Sequence, residues 1–212
     1  MGEMPIRPLT PSALLDELAD TIAALPSPDG GAVRVLVDGA PATAPHAVAD
    51  GLVDRLRVRS REVLRVSAWE FLRPASVRLE RGRHDPDSFY DDWLDGGALV
   101  REVLAPAAAG EAVLPALWDV ATDRAHRLDR VALAAGAVVV VDGPLLLGRG
   151  LPAELAVHLA MSAAALARHT PSEDAWTLPA YARYAEEVDP VTVADLVVRA
   201  DHPDRPALQT PA

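Results

Sequence analysis

Val33-Arg-Val-Leu-Val-Asp-Gly39 reads as a strand that delivers a carboxylate and then a glycine into the turn Ala-Pro-Ala-Thr-Ala-Pro-His46. A strand, a glycine turn and a helix frame a phosphate-binding loop, in which G-x-x-x-x-G-K-[ST] aims backbone N–H groups, a lysine and a Mg²⁺-binding hydroxyl at phosphate oxygens. Counted from Gly39, the second glycine falls on Ala44, the lysine on Pro45 and the hydroxyl on His46. Pro45 offers neither an N–H nor a charge, Pro41 stiffens the turn, and Ala44 can replace glycine only where φ stays negative. What remains is Gly39, the hydroxyl of Thr43 and the ring of His46. The plainer reading of His46, which we prefer, is a first-turn residue of a helix opened by Pro45.

A second carboxylate ends the run Val138-Val-Val-Val-Asp-Gly-Pro144. Asp38 and Asp142 are therefore acidic strand ends, expected to face one another outside the carboxyl ends of parallel strands, where ligands bind in such sheets. Mg²⁺ usually borrows ligands from substrate phosphates, so two carboxylates alone make a poor site and no metal is assigned.

The elements that must position these groups alternate. Thr10 to Leu25 has a capping threonine, Pro11 at the first helical position and apolar residues at 14, 15, 18, 22 and 25, an amphipathic helix. After the first strand, short continuous apolar runs at 63–68, 137–141, 155–161 and 194–198 have the character of strands buried on both faces. Helical patterns fall between them at about 46–57, 87–104, 162–169 and 178–188. The expected architecture is three-layer α/β, with about five parallel strands flanked by helices. The Pro-rich tail from Asp201 to Ala212 reads as irregular.

Composition bounds the rest. The 212 residues, 50% apolar, suffice for one core, so residues 1–212 are expected to form a single domain. A net charge of −11 disfavours nucleic-acid binding. The absence of cysteine excludes disulfides, thiolate metal sites and a cysteine nucleophile, and fits a cytoplasmic protein. Met1 to Pro5 carries no secretory signal. The longest apolar run, Val131 to Val141, falls short of the roughly 18 residues of a membrane span, and no membrane association is expected. All twenty cations are arginine and asparagine is absent, a skew consistent with a GC-rich genome. A lysine needed for phosphoryl transfer would have had to resist that skew.

From about Thr10 to Leu208 the chain resembles the uridine kinase group of P-loop nucleoside kinases, in particular an actinomycete form with a degenerate phosphate-binding loop. In that family the second strand leads into Ile-Asp-Gly-Phe-His-Arg-Pro, whose Asp is the base toward the nucleoside hydroxyl. Here Arg65-Val-Ser-Ala-Trp-Glu-Phe-Leu-Arg-Pro74 keeps Phe71, Arg73 and Pro74, while Trp69 replaces the Asp and Leu72 the His. Arg78 to Asp95 and Ala116 to Asp123 are similar to segments near the nucleoside. The resemblance makes Arg73, Arg81, Arg83, Tyr90 and Asp119 substrate-side candidates. Read without it, they belong to a charged turn, an amphipathic helix and a turn cap. The family's lid is arginine-rich and closes over the transferred phosphate. Its counterpart at about 166–188 retains Arg168 and Arg183, and a helix pair packed through Trp176, Tyr181 and Tyr184 explains it without catalysis.

The resemblance implies a catalytically impaired protein that binds a nucleoside or nucleotide. An alternative is an active ATP-dependent uridine kinase with Mg²⁺, using Glu70 as substitute base; on a continuing strand Glu70 would point away from the site, unless the strand has already ended. A further alternative is a non-catalytic interaction module, with Trp69 and Trp93 as exposed contacts, although burial in the core is the preferred reading of both. Assembly into a homo-oligomer is compatible with all three.

Overall fold

The computed structural model describes residues 6–28, 30–202 and 204–209. Along the chain the regular elements are β1 (Ile6–Pro8), α1 (Pro11–Ala24), β2 (Val33–Asp38), α2 (Pro45–Val58), β3 (Val63–Ser67), α3 (Ala75–Arg78), α4 (Pro86–Asp91), α5 (Gly96–Leu99), α6 (Ala105–Ala108), β4 (Trp118–Asp119), β5 (Arg124–Ala125), β6 (Val138–Gly143), β7 (Leu155–Ala160), α7 (Ala163–His169), α8 (Leu178–Glu187), α9 (Pro190–Val193), β8 (Leu196–Arg199) and β9 (Ala207–Gln209).

The large sheet has the order β1-β9-β8-β7-β2-β6-β3. The strands β3, β6, β2, β7 and β8 run parallel, as the five apolar runs predict. Period-2 alternation sends Val33, Val35 and Val37 into one core with Leu18, Ile22 and Leu52 of α1 and α2. Leu36 faces the opposite core, with Phe71, Phe89, Leu99, Val139, Val141 and Tyr184. Helices thus cover both faces of a mostly parallel sheet, the three-layer α/β arrangement.

Two expectations need correction. The pattern at 87–104 is not one helix. Asp95 accepts from the Ala98 amide at 2.8 Å and caps a new helix, Leu94 bridges to Leu72, and a π-helical turn follows over Val100–Leu104. Gly96 and Gly97 hold a helix poorly, so the pull of the sheet end on Leu94 wins. Nor is the tail wholly irregular: Ala207–Gln209 forms β9, pairing antiparallel with both β8 and β1, with Leu208 buried. The residues from 210 on, and the Met1 to Pro5 segment read above for a signal, lie outside the described residues. Among the described residues no helix is long and apolar enough to cross a membrane.

Candidate functional site

The loop after β2 is built from its prolines. Pro41–Thr43 forms a 3₁₀ turn, Ala44 takes φ +52° and ψ +54°, and Pro45 is the first residue of α2. The condition placed on Ala44 is not met: it keeps the left-handed conformation that favours glycine, although it carries a Cβ. Gly39 is needed for space, because a Cβ there would lie 2.4 Å from Thr43 Oγ1 and 3.0 Å from Leu159 Cβ.

The polar groups of this loop face inward. The Thr43 hydroxyl donates to Ala40 O at 2.8 Å, the Thr43 amide to the same oxygen at 2.8 Å, and the Ala44 amide to Pro41 O at 2.9 Å. Pro41 and Pro45 have no amide hydrogen to offer. His46 is exposed at the start of α2, as its plainer reading predicts.

Register separates the two acidic strand ends. Asp142 of β6 pairs with Val37 and Ser67, whereas Asp38 pairs with Gly143 and His158. The two carboxylates are one step out of phase and project from opposite faces of the sheet, so they do not face one another. Asp142 is clasped by Arg65 Nε at 2.7 Å and Nη2 at 3.1 Å, and Arg65 also reaches Asp50 of α2 at 3.0 Å. That guanidinium is held more firmly protonated, chiefly by its hydrogen bonds to Asp142.

Asp38, fully buried, is the hub of the other face. It accepts from the Leu146 amide at 2.8 Å and the Tyr184 hydroxyl at 3.0 Å, and pairs with His158 Nδ1 at 2.7 Å. The Tyr184 oxygen in turn accepts from the Leu147 amide at 3.0 Å. Burial, and then the Asp38 charge, push the Tyr184 phenol well above its ordinary range, so it stays a donor. Sequence reasoning missed His158. Its one signal was a polar residue interrupting the apolar run of β7.

Over the ends of these strands lies a cavity of about 550 Å³, bounded by Pro41 and Ala42 of the loop, Trp69, Phe89, Trp93, and the segment from His169 to Tyr181. Its wall is aromatic. Phe89 packs edge-on against Trp93, Trp176 and Tyr181 at centroid distances of 5.2, 5.6 and 5.9 Å, and is stacked with Trp69 at 6.4 Å. Trp69 and Trp93 are therefore half-buried cavity wall, neither free surface nor closed core. A second, apolar hollow of about 280 Å³ lies beside the loop, between Leu14, Val48, Leu159 and Val198.

Most other candidates stand away from this cavity. The strand has ended at Ser67, so alternation does not govern Glu70; its carboxylate turns to His126 at 2.9 Å, next to the β4–β5 hairpin. Tyr90 of α4 packs toward α8, with Arg183 over its ring at 4.2 Å. Burial raises the pKa of Tyr90. Arg183 also binds Asp91 at 2.9 Å and Glu187 at 2.8 Å, a brace between helices. Asp119 caps its own turn, accepting from Thr122 Oγ1 at 2.6 Å and the Ala121 amide at 2.9 Å, contacts that hold it below the usual carboxylate range. Arg73 joins the site end only through its backbone, its amide donating to Trp93 O at 2.8 Å. Arg81 is exposed, and Arg83 lines a shallower neighbouring hollow. Arg168 is exposed on α7.

These residues do not fit Mg²⁺ and a nucleoside triphosphate in the usual way. Both strand-end carboxylates are engaged elsewhere, and among the described residues no three acidic, His or Cys side chains gather to hold a metal ion.

No protein-family model matches the chain, and no curated protein matches it. Solved structures do. A protein of Bacillus stearothermophilus described as a possible uridine kinase superposes with a TM-score of 0.71 at 20% identity, over 86% of this chain and 96% of that one. A protein from Silicibacter sp. TM1040, provisionally named a fructose transport system kinase, superposes with a TM-score of 0.60 at 19% identity, over 93% and 96%. The chain therefore shares the fold of these two structures, a mostly parallel sheet with helices on both faces.

Proposed function

On this kinase fold, we propose that the chain binds a nucleoside or nucleotide in the aromatic cleft and has lost effective phosphoryl transfer. The observation that carries the reading is the lining of the cleft, which includes no arginine and whose one carboxylate is Asp174. Phosphoryl transfer rests on positioning and on neutralising the charge of the moving group, and a wall of this kind supplies no arginine or lysine for the second task. Trp69 in place of the family's base, and Glu70 turned to His126, support the same reading. The chain is proposed to act as a single cytoplasmic domain spanning residues 1–212.

A second reading, an active uridine kinase, draws on Arg168, which adjoins the cleft-lining His169 and has no ion pair among the described residues. Thermal shift with uridine and with ATP–Mg²⁺, followed by a uridine phosphorylation assay, separates the two. Stabilisation by uridine without turnover is expected. Turnover that disappears in an Arg168→Ala variant would establish the second reading instead.

A further inference from the structure

The aromatic faces in this protein fall into two groups. Three arginines already lie over rings: Arg78 over Trp93 of the cleft wall at 5.2 Å, and Arg149 and Arg183 over Tyr90, away from the cleft, at 5.6 and 4.2 Å. Inside it, no guanidinium stacks on Trp69, Phe89, Trp176 or Tyr181 among the described residues, and these rings bound the 550 Å³ cavity. Ring faces carry negative potential and attract cations, most strongly where water is partly excluded.

Two polar features sharpen the case. Asp174 stands on the cavity wall, and its carboxylate makes no hydrogen bond or ion pair among the described residues. Tyr181, also on the wall, has a buried hydroxyl without a hydrogen-bond partner. Burial and then the charges of Asp38 and Asp174 push that phenol well above its ordinary range, so it remains a neutral donor and acceptor. The one basic group on the wall is His169. Asp174 and Trp176 also border the adjoining hollow of Arg78, Arg83 and His84, but on the cleft side a carboxylate beside open ring faces favours a flat, positively charged group.

We infer that the cleft selects a cationic ligand of nucleoside size, an alkylated or otherwise permanently charged heterocycle, held by the Trp69 and Trp176 faces and by the Asp174 carboxylate. This rests on the reading that the cleft binds nucleosides at all, and it names the charge such a nucleoside carries.

The test compares 1-methyladenosine, cationic at pH 7, with neutral adenosine and uridine, by quenching of tryptophan fluorescence and by calorimetry on the full chain. The methylated nucleoside is expected to bind about 3- to 30-fold more tightly than adenosine, the range that cation–π attraction supplies. Asp174→Asn, a conservative change at an exposed position, is expected to narrow that ratio with an unchanged melting temperature, and Trp176→Leu to weaken the cation more than the neutral pair. Equal binding of all three nucleosides would overturn the charge preference and leave nucleoside binding standing. Binding of none of them would overturn both.

Discussion

Ala44 holds a left-handed turn with an L side chain at the start of α2. Its φ of +52° costs an L-residue roughly 1–2 kcal/mol, and it occupies the N-cap of α2 without a capping side chain. Ala44→Gly is therefore expected to stabilise the protein by about 0.5–1 kcal/mol, after the larger entropy loss of glycine, read as a higher urea midpoint at unchanged slope. The Asp38 hub makes the opposite prediction. Tyr184→Phe removes a donor to a buried carboxylate and leaves the Leu147 amide without its acceptor, and should cost about 1–3 kcal/mol by the same measurement. The phenols also set an alkaline limit. Tyr181 and Tyr184 are raised in the folded state, so the stability they carry is full below about pH 10, the unfolded value, and is lost as pH rises beyond it. Tyrosinate absorbance should therefore lag during alkaline titration and appear together with loss of the folded circular dichroism signal.

At the scale of elements, length and periodicity decided what could be read. The five parallel strands and α1, α2, α7 and α8 are long or strongly patterned, and their sequence runs coincide with the observed elements to within a few residues. The strands β1 and β9 hold three residues each, beside prolines, and have no period of their own to show. They exist because β8 offers an unpaired edge and Leu208 a side chain to bury. Leu208→Ala is expected to cost about 2–4 kcal/mol in urea unfolding, far more than a disordered tail would allow. The break between α4 and α5 was masked for the converse reason: its apolar spacing suits a helix, and the Leu72–Leu94 bridge joins the Asp95 cap and the weak Gly96-Gly97 pair in pulling the chain out of one.

For the whole molecule the consequence lies in separating fold from chemistry. A triple change, Ala44→Gly, Pro45→Lys and His46→Thr, rebuilds the phosphate-binding pattern on a backbone that already holds the left-handed turn. The expected outcome is an ATP–Mg²⁺-dependent thermal shift absent from the parent, with uridine phosphorylation still undetected while Trp69 stands where the family's base would be. Substantial turnover by the triple variant would show that the cleft had kept a base after all.

The sequence by itself determined the order of strands and helices, the turn after Gly39 and the absence of a lysine, because these depend on residue type and local periodicity. Tertiary structure alone decided which groups meet. A one-residue phase difference in the β2–β6 register sends Asp38 and Asp142 to opposite faces, and the β2–β7 register brings His158 beside Asp38 over a separation of 120 residues. Packing of α4 and the 169–181 segment gathers Trp69, Phe89, Trp93 and Trp176 into one wall. Register and packing are properties of pairs of elements, and no single stretch of chain records them.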